Sequence, residues 1–244
     1  MQPLLTATLA AALGTACSSA SPHVVTRRES HVSEHGAGSH AHGHEPAGHD
    51  IGGHHHAFTD ADAWTRVFDD PSRDAWQRPD EVLAELALTP GMMVADVGAG
   101  TGYFTMRMAR AVPRGQVIAT DLEPDMVRYL GERSAREKLS NVRPVRAEAT
   151  DPHLPANTFD RVLVVDVWHH LADRVEYARA IAASLAPRGQ LVIVDFTLAA
   201  SKGPPKEMRL PPEAIIADLR AAGLDAVISP RALPEQYIVI GTRR

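Results

Sequence analysis

Residues 94–104 read Val94-Ala95-Asp96-Val97-Gly98-Ala99-Gly100-Thr101-Gly102-Tyr103-Phe104, an apolar run that passes directly into a glycine-rich loop. The apolar run predicts a buried strand over 92–97, and the residues around and after the loop predict a helix over 101–111. Three glycines at alternate positions remove side chains where a backbone turns tightly or approaches a ligand. The stretch therefore predicts a strand–loop–helix unit that binds a nucleotide-like ligand at its loop.

The spacing of the glycines argues against two classes of nucleotide. A dinucleotide site needs the pattern Gly-x-Gly-x-x-Gly, but the third glycine position is Tyr103 when counted from Gly98 and Thr105 when counted from Gly100. The Gly-Lys-Ser/Thr ending of a triphosphate-binding loop is also missing from this loop. A ligand that carries a pyrophosphate is therefore disfavoured.

The rest of the chain from residue 58 alternates between strand and helix patterns. Further strands are predicted over 116–120, 141–147, 161–165, 190–196, 225–229 and 236–241, and helices over 124–139, 174–185 and 212–222. A short amphipathic helix around Trp64 and Phe68, and another that begins at Pro79, precede the first strand. This alternation predicts an α/β fold with a mostly parallel sheet, whose strand carboxyl ends form the ligand edge.

Two carboxylates at this edge indicate the kind of ligand. Asp96 lies inside the end of the first strand, where a carboxylate is unfavourable beside a pyrophosphate and favourable beside an ammonium group. Asp121 ends the second strand, where a carboxylate accepts hydrogen bonds from both hydroxyls of a ribose. A ligand with an ammonium, a ribose and no pyrophosphate describes S-adenosylmethionine.

Four segments occur in a fixed order: the Asp-x-Gly-x-Gly-x-Gly loop at 96–102, an acidic segment at 120–126, residues 157–162 leading to 166–171, and the turn at 185–191. Together they resemble the motifs of the class I S-adenosylmethionine-dependent methyltransferases, over residues 58–244. The resemblance implies a Rossmann-like, doubly wound, mostly parallel seven-stranded sheet with a C-terminal antiparallel hairpin. Residues 68–79 are also similar to a subgroup of uncharacterised bacterial methyltransferases, some of them exported.

The resemblance assigns roles around the cofactor, with structural alternatives beside each. The glycine loop would lie along the methionine portion of the cofactor, or would only form a tight turn. Its residues are Gly98, Ala99, Gly100 and Gly102. Asp96 would help to hold the ammonium group, or would cap the following helix. Asp121 would bind the ribose, or would be a solvated acid at a strand end.

The adenine is assigned to residues that follow the second and third strands. Leu122 and Met126 would lie against the ring, or would be ordinary helix packing. An acidic residue after the third strand would accept a hydrogen bond from the adenine amino group. Glu148 and Asp151 are both candidates, and Glu148 is preferred.

The fourth strand leads into Asp166-Val167-Trp168-His169-His170, where the methyl acceptor is expected to meet the cofactor. Asp166 is predicted to contact the cofactor. His169 and His170 are the candidate catalytic residues, because a histidine there can remove a proton from an oxygen or nitrogen nucleophile. The alternative is that either histidine caps or packs against the next segment. Trp76 and Arg78 are either parts of an N-terminal lid or a packed aromatic and a surface charge.

The first 57 residues have a different composition. Residues 1–22 carry no charged side chain and resemble an export signal, with Cys17 as the expected lipid-attachment site of a bacterial lipoprotein. Residues 23–57 lack hydrophobic periodicity, so they are predicted to be a disordered linker between this leader and the domain at 58–244. The chain is therefore expected in the cell envelope, or in the cytoplasm if the leader is not a working signal.

The histidines are concentrated in the linker and add a second hypothesis. Ten of the 13 histidines lie within the first 56 residues, and clustered imidazoles bind zinc, copper or nickel weakly. The main hypothesis is methyl transfer to a small-molecule acceptor, without a metal in the site. The alternative is an envelope metal-binding lipoprotein that acts through its His-rich arm. A net charge of −5 argues against a nucleic-acid partner.

Overall fold

A single mixed sheet forms the centre of the computed structural model, which describes residues 60–244. Its seven strands, within those residues, are β1 (Met93–Val97), β2 (Gln116–Asp121), β3 (Val142–Arg146), β4 (Phe159–Val165), β5 (Leu185–Phe196), β6 (Asp225–Ile228) and β7 (Gln236–Thr242). The strand order is β3-β2-β1-β4-β5-β7-β6. Strand β7 runs antiparallel to both β5 and β6, and the other pairs are parallel. The predicted Rossmann-like sheet with its antiparallel C-terminal hairpin is confirmed.

The helices of the described residues are α1 (Ala61–Phe68), α2 (Arg73–Gln77), α3 (Pro79–Leu86), α4 (Thr105–Ala111), α5 (Pro124–Arg136), α6 (Arg174–Ser184) and α7 (Pro212–Ala221). Prolines occupy the first turn of α3, α5 and α7, where the missing amide hydrogen has no helical partner to lose. Helix α4 begins four residues later than predicted, because the loop glycines up to Gly102 adopt positive φ angles. The five-residue helix α2 was not predicted.

Strand β4 separates the two main hydrophobic layers of the described residues. Val162 and Val164 face a layer with Phe159, Trp168 and Ile193, while Leu163 and Val165 face the opposite layer with Leu86 and Met108. This alternation follows from the two-residue period of a strand. Burying each large aliphatic or aromatic side chain contributes about 1.5–3 kcal/mol, so the two layers hold the strand ends rigidly.

The strand register places three carboxyl ends side by side. Asp96 of β1 is level with Ala119 of β2 and Leu163 of β4, and each of these neighbours lies two residues before the end of its strand. The edge formed by β2, β1 and β4 therefore gathers the side chains that the sequence singled out. No helix within residues 60–244 has the length and apolar character needed to cross a membrane. The predicted leader, Cys17 and the His-rich linker lie outside the described residues.

Gly115→Ala is expected to destabilise the fold by about 1–3 kcal/mol. A methyl group at Gly115 would lie 1.9 Å from the carbonyl oxygen of Met92, so the backbone between α4 and β2 would have to move. Gly91→Ala is the matched control, since nothing lies within 4 Å of the methyl group that it adds. Urea unfolding of the full chain measures both free energies. Equal stabilities of the two variants would contradict the steric explanation.

Candidate functional site

The glycine loop between β1 and α4 is tied to the end of β2. The backbone amides of Gly98 and Ala99 both donate to the carbonyl oxygen of Thr120, at 2.8 and 3.0 Å. Gly98 has a φ of +71°, and a methyl group there would lie 2.3 Å from Cγ2 of Val167. Gly98 is therefore required both by its left-handed backbone and by the side chain that follows β4.

Asp121 at the end of β2 lies under this loop. Its Oδ2 accepts from the amide of Gly100 at 2.8 Å, and its Oδ1 accepts from the amide of Glu123 at 3.0 Å. Burial raises the pKa of Asp121, and these amides oppose the shift. The carboxylate is thus held in one orientation beside the loop. Its lone pairs not used by the amides can accept hydrogen bonds from ribose hydroxyls.

The predicted adenine contacts differ in exposure. Leu122 is 45% exposed directly after Asp121, which leaves an apolar surface at the edge of the site. Met126 is 1% exposed, so its side chain is largely packed inside the domain. Glu148 follows β3, has an exposed side chain, and forms backbone hydrogen bonds with Asp151 in the same turn. Both acidic candidates therefore occupy one turn, and the preference for Glu148 stays a prediction.

Asp96 and Asp166 bring two more carboxyl groups to the edge. Asp96 is buried and accepts from the hydroxyl of Thr105 at 2.6 Å. Burial raises the pKa of Asp96 to about 6, and Asp121 adds to the shift. Asp166 directly follows β4 with a φ of +59°, a conformation that non-glycine residues adopt at a cost. Burial raises the pKa of Asp166 to about 7.

Arg73 of α2 supplies positive charge to this group of acids. One guanidinium nitrogen lies 3.7 Å from Oδ2 of Asp166, and another donates to the carbonyl oxygen of Phe68 at 2.8 Å. The guanidinium also lies 4.1 Å from the ring centre of Tyr103. Burial lowers the pKa of Arg73, while Asp166 opposes this shift. The sequence analysis did not identify Arg73, and its only signal was a place within the 68–79 segment.

Residues 60–78 extend across the edge formed by the carboxyl ends of β2, β1 and β4, and they contact the elements around it. The amide of Ala61 donates to Asp125 of α5 at 2.8 Å, and Arg133 pairs with Asp69 at 2.8 Å. A methyl group at Gly100 would lie 3.5 Å from the ring of Phe68. This N-terminal segment therefore covers the glycine loop.

The two lid candidates from the sequence have different roles in this segment. Trp76 stacks on Phe196 at the end of β5, with 5.8 Å between ring centres. Arg78 is mostly exposed and pairs with Glu81 of α3 at 3.0 Å. Trp76 therefore belongs to the cover of the edge, and Arg78 is a surface charge.

The candidate catalytic histidines lie in a short 3₁₀ turn, Trp168–His170, directly after β4. Nδ1 of His169 lies 2.9 Å from Oδ1 of Asp195, the penultimate residue of β5. The ring centres of His169 and His170 are 4.2 Å apart. Sequence reasoning missed Asp195, although it is a lone acid inside an apolar strand, the same pattern that drew attention to Asp96.

Buried hydroxyl groups test whether S-adenosylmethionine suits this edge. Among residues 60–244, Oγ1 of Thr101 in the glycine loop and Oγ1 of Thr120 at the end of β2 are buried without a hydrogen-bond partner. An unsatisfied buried hydroxyl costs about 1–3 kcal/mol, which a polar ligand can offset. The carboxylates, glycines and hydroxyls together fit a ligand that carries an ammonium, a ribose and a sulfonium. No group of three or more metal-ligating side chains occurs among the described residues.

Comparisons with known proteins agree with this geometry. Residues 94–189 match the model of a methyltransferase domain family. The crystal structure of a S-adenosylmethionine-dependent methyltransferase from Aquifex aeolicus superposes with a TM-score of 0.69 and is 28% identical. This match covers 76% of the present chain and 99% of the Aquifex chain.

Two relatives share a name, ubiquinone/menaquinone biosynthesis C-methyltransferase. The protein from Shewanella frigidimarina is 30% identical over 125 residues, which are 50% of this chain and 49% of the relative. The protein from Pasteurella multocida is 34% identical over 114 residues, which are 44% of this chain and 41% of the relative. The chain thus spans less than half the length of either relative.

The domain match, the relatives and the Aquifex structure support a methyltransferase enzyme of the class I, S-adenosylmethionine-dependent group. They also support S-adenosylmethionine as its cofactor. The resemblance drawn from the four sequence segments is confirmed at the level of this class. The exported lipoprotein subgroup stays a prediction.

Asp121→Asn is expected to weaken the binding of S-adenosylmethionine by about tenfold to a hundredfold, because a hydrogen bond to a charged group contributes about 1.5–3 kcal/mol. Isothermal titration calorimetry of the full chain measures the affinity. Asp225→Asn is the control, since Asp225 of β6 forms an exposed ion pair with Arg244. Unchanged affinity in Asp121→Asn would contradict the role of this carboxylate.

Asp166→Asn is expected to change how stability depends on pH between about pH 4 and pH 7. Because the pKa of Asp166 is raised to about 7, the folded state keeps a proton in this window that an unfolded chain has released. The free energy of unfolding of the wild type should therefore fall, relative to the variant, as the pH rises through the window.

Urea unfolding at several pH values measures this difference. Asp80→Asn, which removes an exposed negative charge on α3, is the control for the change in net charge. A difference between the wild type and Asp166→Asn that stays constant from pH 4 to pH 7 would contradict the assignment.

Proposed function

We propose that the protein transfers a methyl group from S-adenosylmethionine to a small-molecule acceptor at the edge formed by β2, β1 and β4. The observation that carries this proposal is the grouping of three carboxyl groups, Asp96, Asp121 and Asp166, beside the glycine loop at one edge of the sheet. Burial raises the pKa of each of them. Carboxyl groups that have lost hydration favour a cation beside them. The sulfonium and ammonium groups of the cofactor carry such charge, so ligand and site match electrostatically.

The chain's own residues bind and orient the reactants. When bound, S-adenosylmethionine supplies an electrophilic methyl group on a sulfonium. Asp121 would hold the ribose hydroxyls, and Asp96 would favour the ammonium group. The glycine loop would leave space for the methionine portion of the cofactor. Residues 60–78 would exclude water from the edge. Because the methyl donor is already activated, alignment of the acceptor with it can supply several kcal/mol of the rate enhancement.

A hydroxylated aromatic ring is the first acceptor to test. The names of the two relatives describe carbon methylation in quinone biosynthesis, which supports a hydroquinone or a related phenol as the first probe. His169 and His170 lie directly after β4, where a base can receive the proton that such an acceptor loses.

The alternative function depends on residues outside the described part of the chain. Weak metal binding by the His-rich linker, lipid attachment at Cys17 and an envelope location are predictions from the sequence. Mass spectrometry of the mature N-terminus tests the leader. Zinc or nickel titration of the full chain, compared with a variant whose linker histidines are alanines, tests metal binding.

Methyl-labelled S-adenosylmethionine tests the proposed function directly. The full chain is incubated with a short-chain hydroquinone and, separately, with a small-molecule extract. We expect label in the small-molecule fraction for the wild type and Asp225→Asn, and at least tenfold less for Asp121→Asn at limiting cofactor. Cofactor binding by calorimetry without label transfer to either acceptor source would overturn the proposal.

A further inference from the structure

We propose that Asp195 is a positioning residue that holds His169 as the proton acceptor of methyl transfer. The inference rests on the proposed methyl transfer and extends it, because it assigns the role of base to a named side chain and adds the residue that orients it.

The pairing of β4 and β5 brings the two side chains together. Val165, the last residue of β4, is level with Val194 of β5, so the turn after β4 lies beside Asp195. Nδ1 of His169 lies 2.9 and 3.1 Å from the two carboxylate oxygens. Oδ1 also accepts from the backbone amide of Phe196 at 2.8 Å, which fixes the carboxylate plane. Both side chains are almost fully buried, at 2% and 0% exposure.

This contact determines which ring nitrogen is basic. An ionised carboxylate only accepts hydrogen bonds, so Nδ1 of His169 must carry the proton. The neutral ring then keeps its lone pair on Nε2, and the ionised carboxylate stabilises the positive ring after proton uptake. His169 is therefore oriented as a base by a neighbour on a different strand. This contact with the carboxylate of Asp195 is what assigns the role of base to His169.

Charged and titratable groups from several elements face this pair. Arg73, Asp195 and His169 lie close enough to Asp166 after β4 to influence its pKa, which burial raises. The ring of His170 contacts the ring of His169 in the same turn, tilted by 43°. On β7, burial raises the pKa of the Tyr237 phenol, and Asp195 adds to this shift.

The reaction step balances without another reagent. An electron pair of the acceptor forms the bond to the methyl carbon. It is a lone pair on the acceptor oxygen, or the π electron pair of a ring carbon activated by that oxygen. The electron pair of the broken carbon–sulfur bond remains on sulfur, which becomes a neutral thioether. The proton of the acceptor passes to Nε2 of His169 and later to solvent. Because His169 is almost fully buried, the acceptor reaches it only after a covering segment moves.

Two measurements on the full chain test the inference. The first is nitrogen-15 NMR of the histidine rings, with the His169 signals assigned from their loss in His169→Gln. In the wild type we expect a neutral ring with the proton on Nδ1. In Asp195→Asn we expect a mixture of tautomers, while the cofactor affinity by calorimetry stays within about twofold of the wild type. A proton on Nε2 in the wild type would overturn the inference, whether or not methyl transfer is observed.

The second measurement is the pH profile of label transfer to the hydroquinone or to the acceptor found in the extract. In Asp195→Asn we expect kcat to fall at least tenfold at neutral pH with little change in KM. The loss should shrink as the pH rises and the acceptor hydroxyl ionises by itself, and Asp195→Glu should recover part of kcat. An equal loss at every pH would show that Asp195 is only structural and would overturn the inference.

Failure of this inference is distinguishable from failure of the proposed function. Without any label transfer the proposed function fails, and the NMR measurement still decides the tautomer. Asp225→Asn is the control, because Asp225 forms an exposed pair with Arg244 and lies outside the site. We expect it to retain the Nδ1 proton on His169 and the wild-type pH profile.

Discussion

The carbonyl oxygen of Thr120 accepts two hydrogen bonds, from the amides of Gly98 and Ala99, and the site depends on this contact. Both lone pairs of a buried carbonyl are thereby used, which joins the loop after β1 to the end of β2. The next residue, Asp121, is placed under the amide of Gly100. On the other side, the bare Cα of Gly98 admits Val167, so β4 also ends against the same loop.

Most of the fold follows from hydrophobic pattern, and the differences have local causes. Runs of apolar, branched residues predicted six of the seven strands among residues 60–244 to within two residues at either end. Strand β5 begins at Leu185, five residues before the predicted start, because the exposed Pro187 and Arg188 interrupt the apolar pattern there. Helix α4 begins later than predicted, because the positive φ of Gly102 keeps the preceding loop out of the helix. A pattern of side chains carries no information about that backbone angle. Helix α2 was missed because five residues are too few to reveal a helical period.

The candidate site was predictable where one residue type carries the signal. A lone acid within or ending an apolar strand marked Asp96 and Asp121, and both lie at the ligand edge. The same signal at Asp195 was overlooked because its partner, His169, is 26 residues away in the chain. Arg73 has no such signal, because its importance comes from packing on Tyr103 and facing Asp166, which only the fold brings together.

The cover formed by residues 60–78 has a consequence for the timing of turnover. It touches the glycine loop at Gly100, the end of β4 through Arg73, and the end of β5 through Trp76. In the proposed function, a cofactor and an acceptor bound at this edge would both lie under residues 60–78. Uncovering the edge would have to break a guanidinium contact and an aromatic stack together. The stability of this segment would then set how readily products leave.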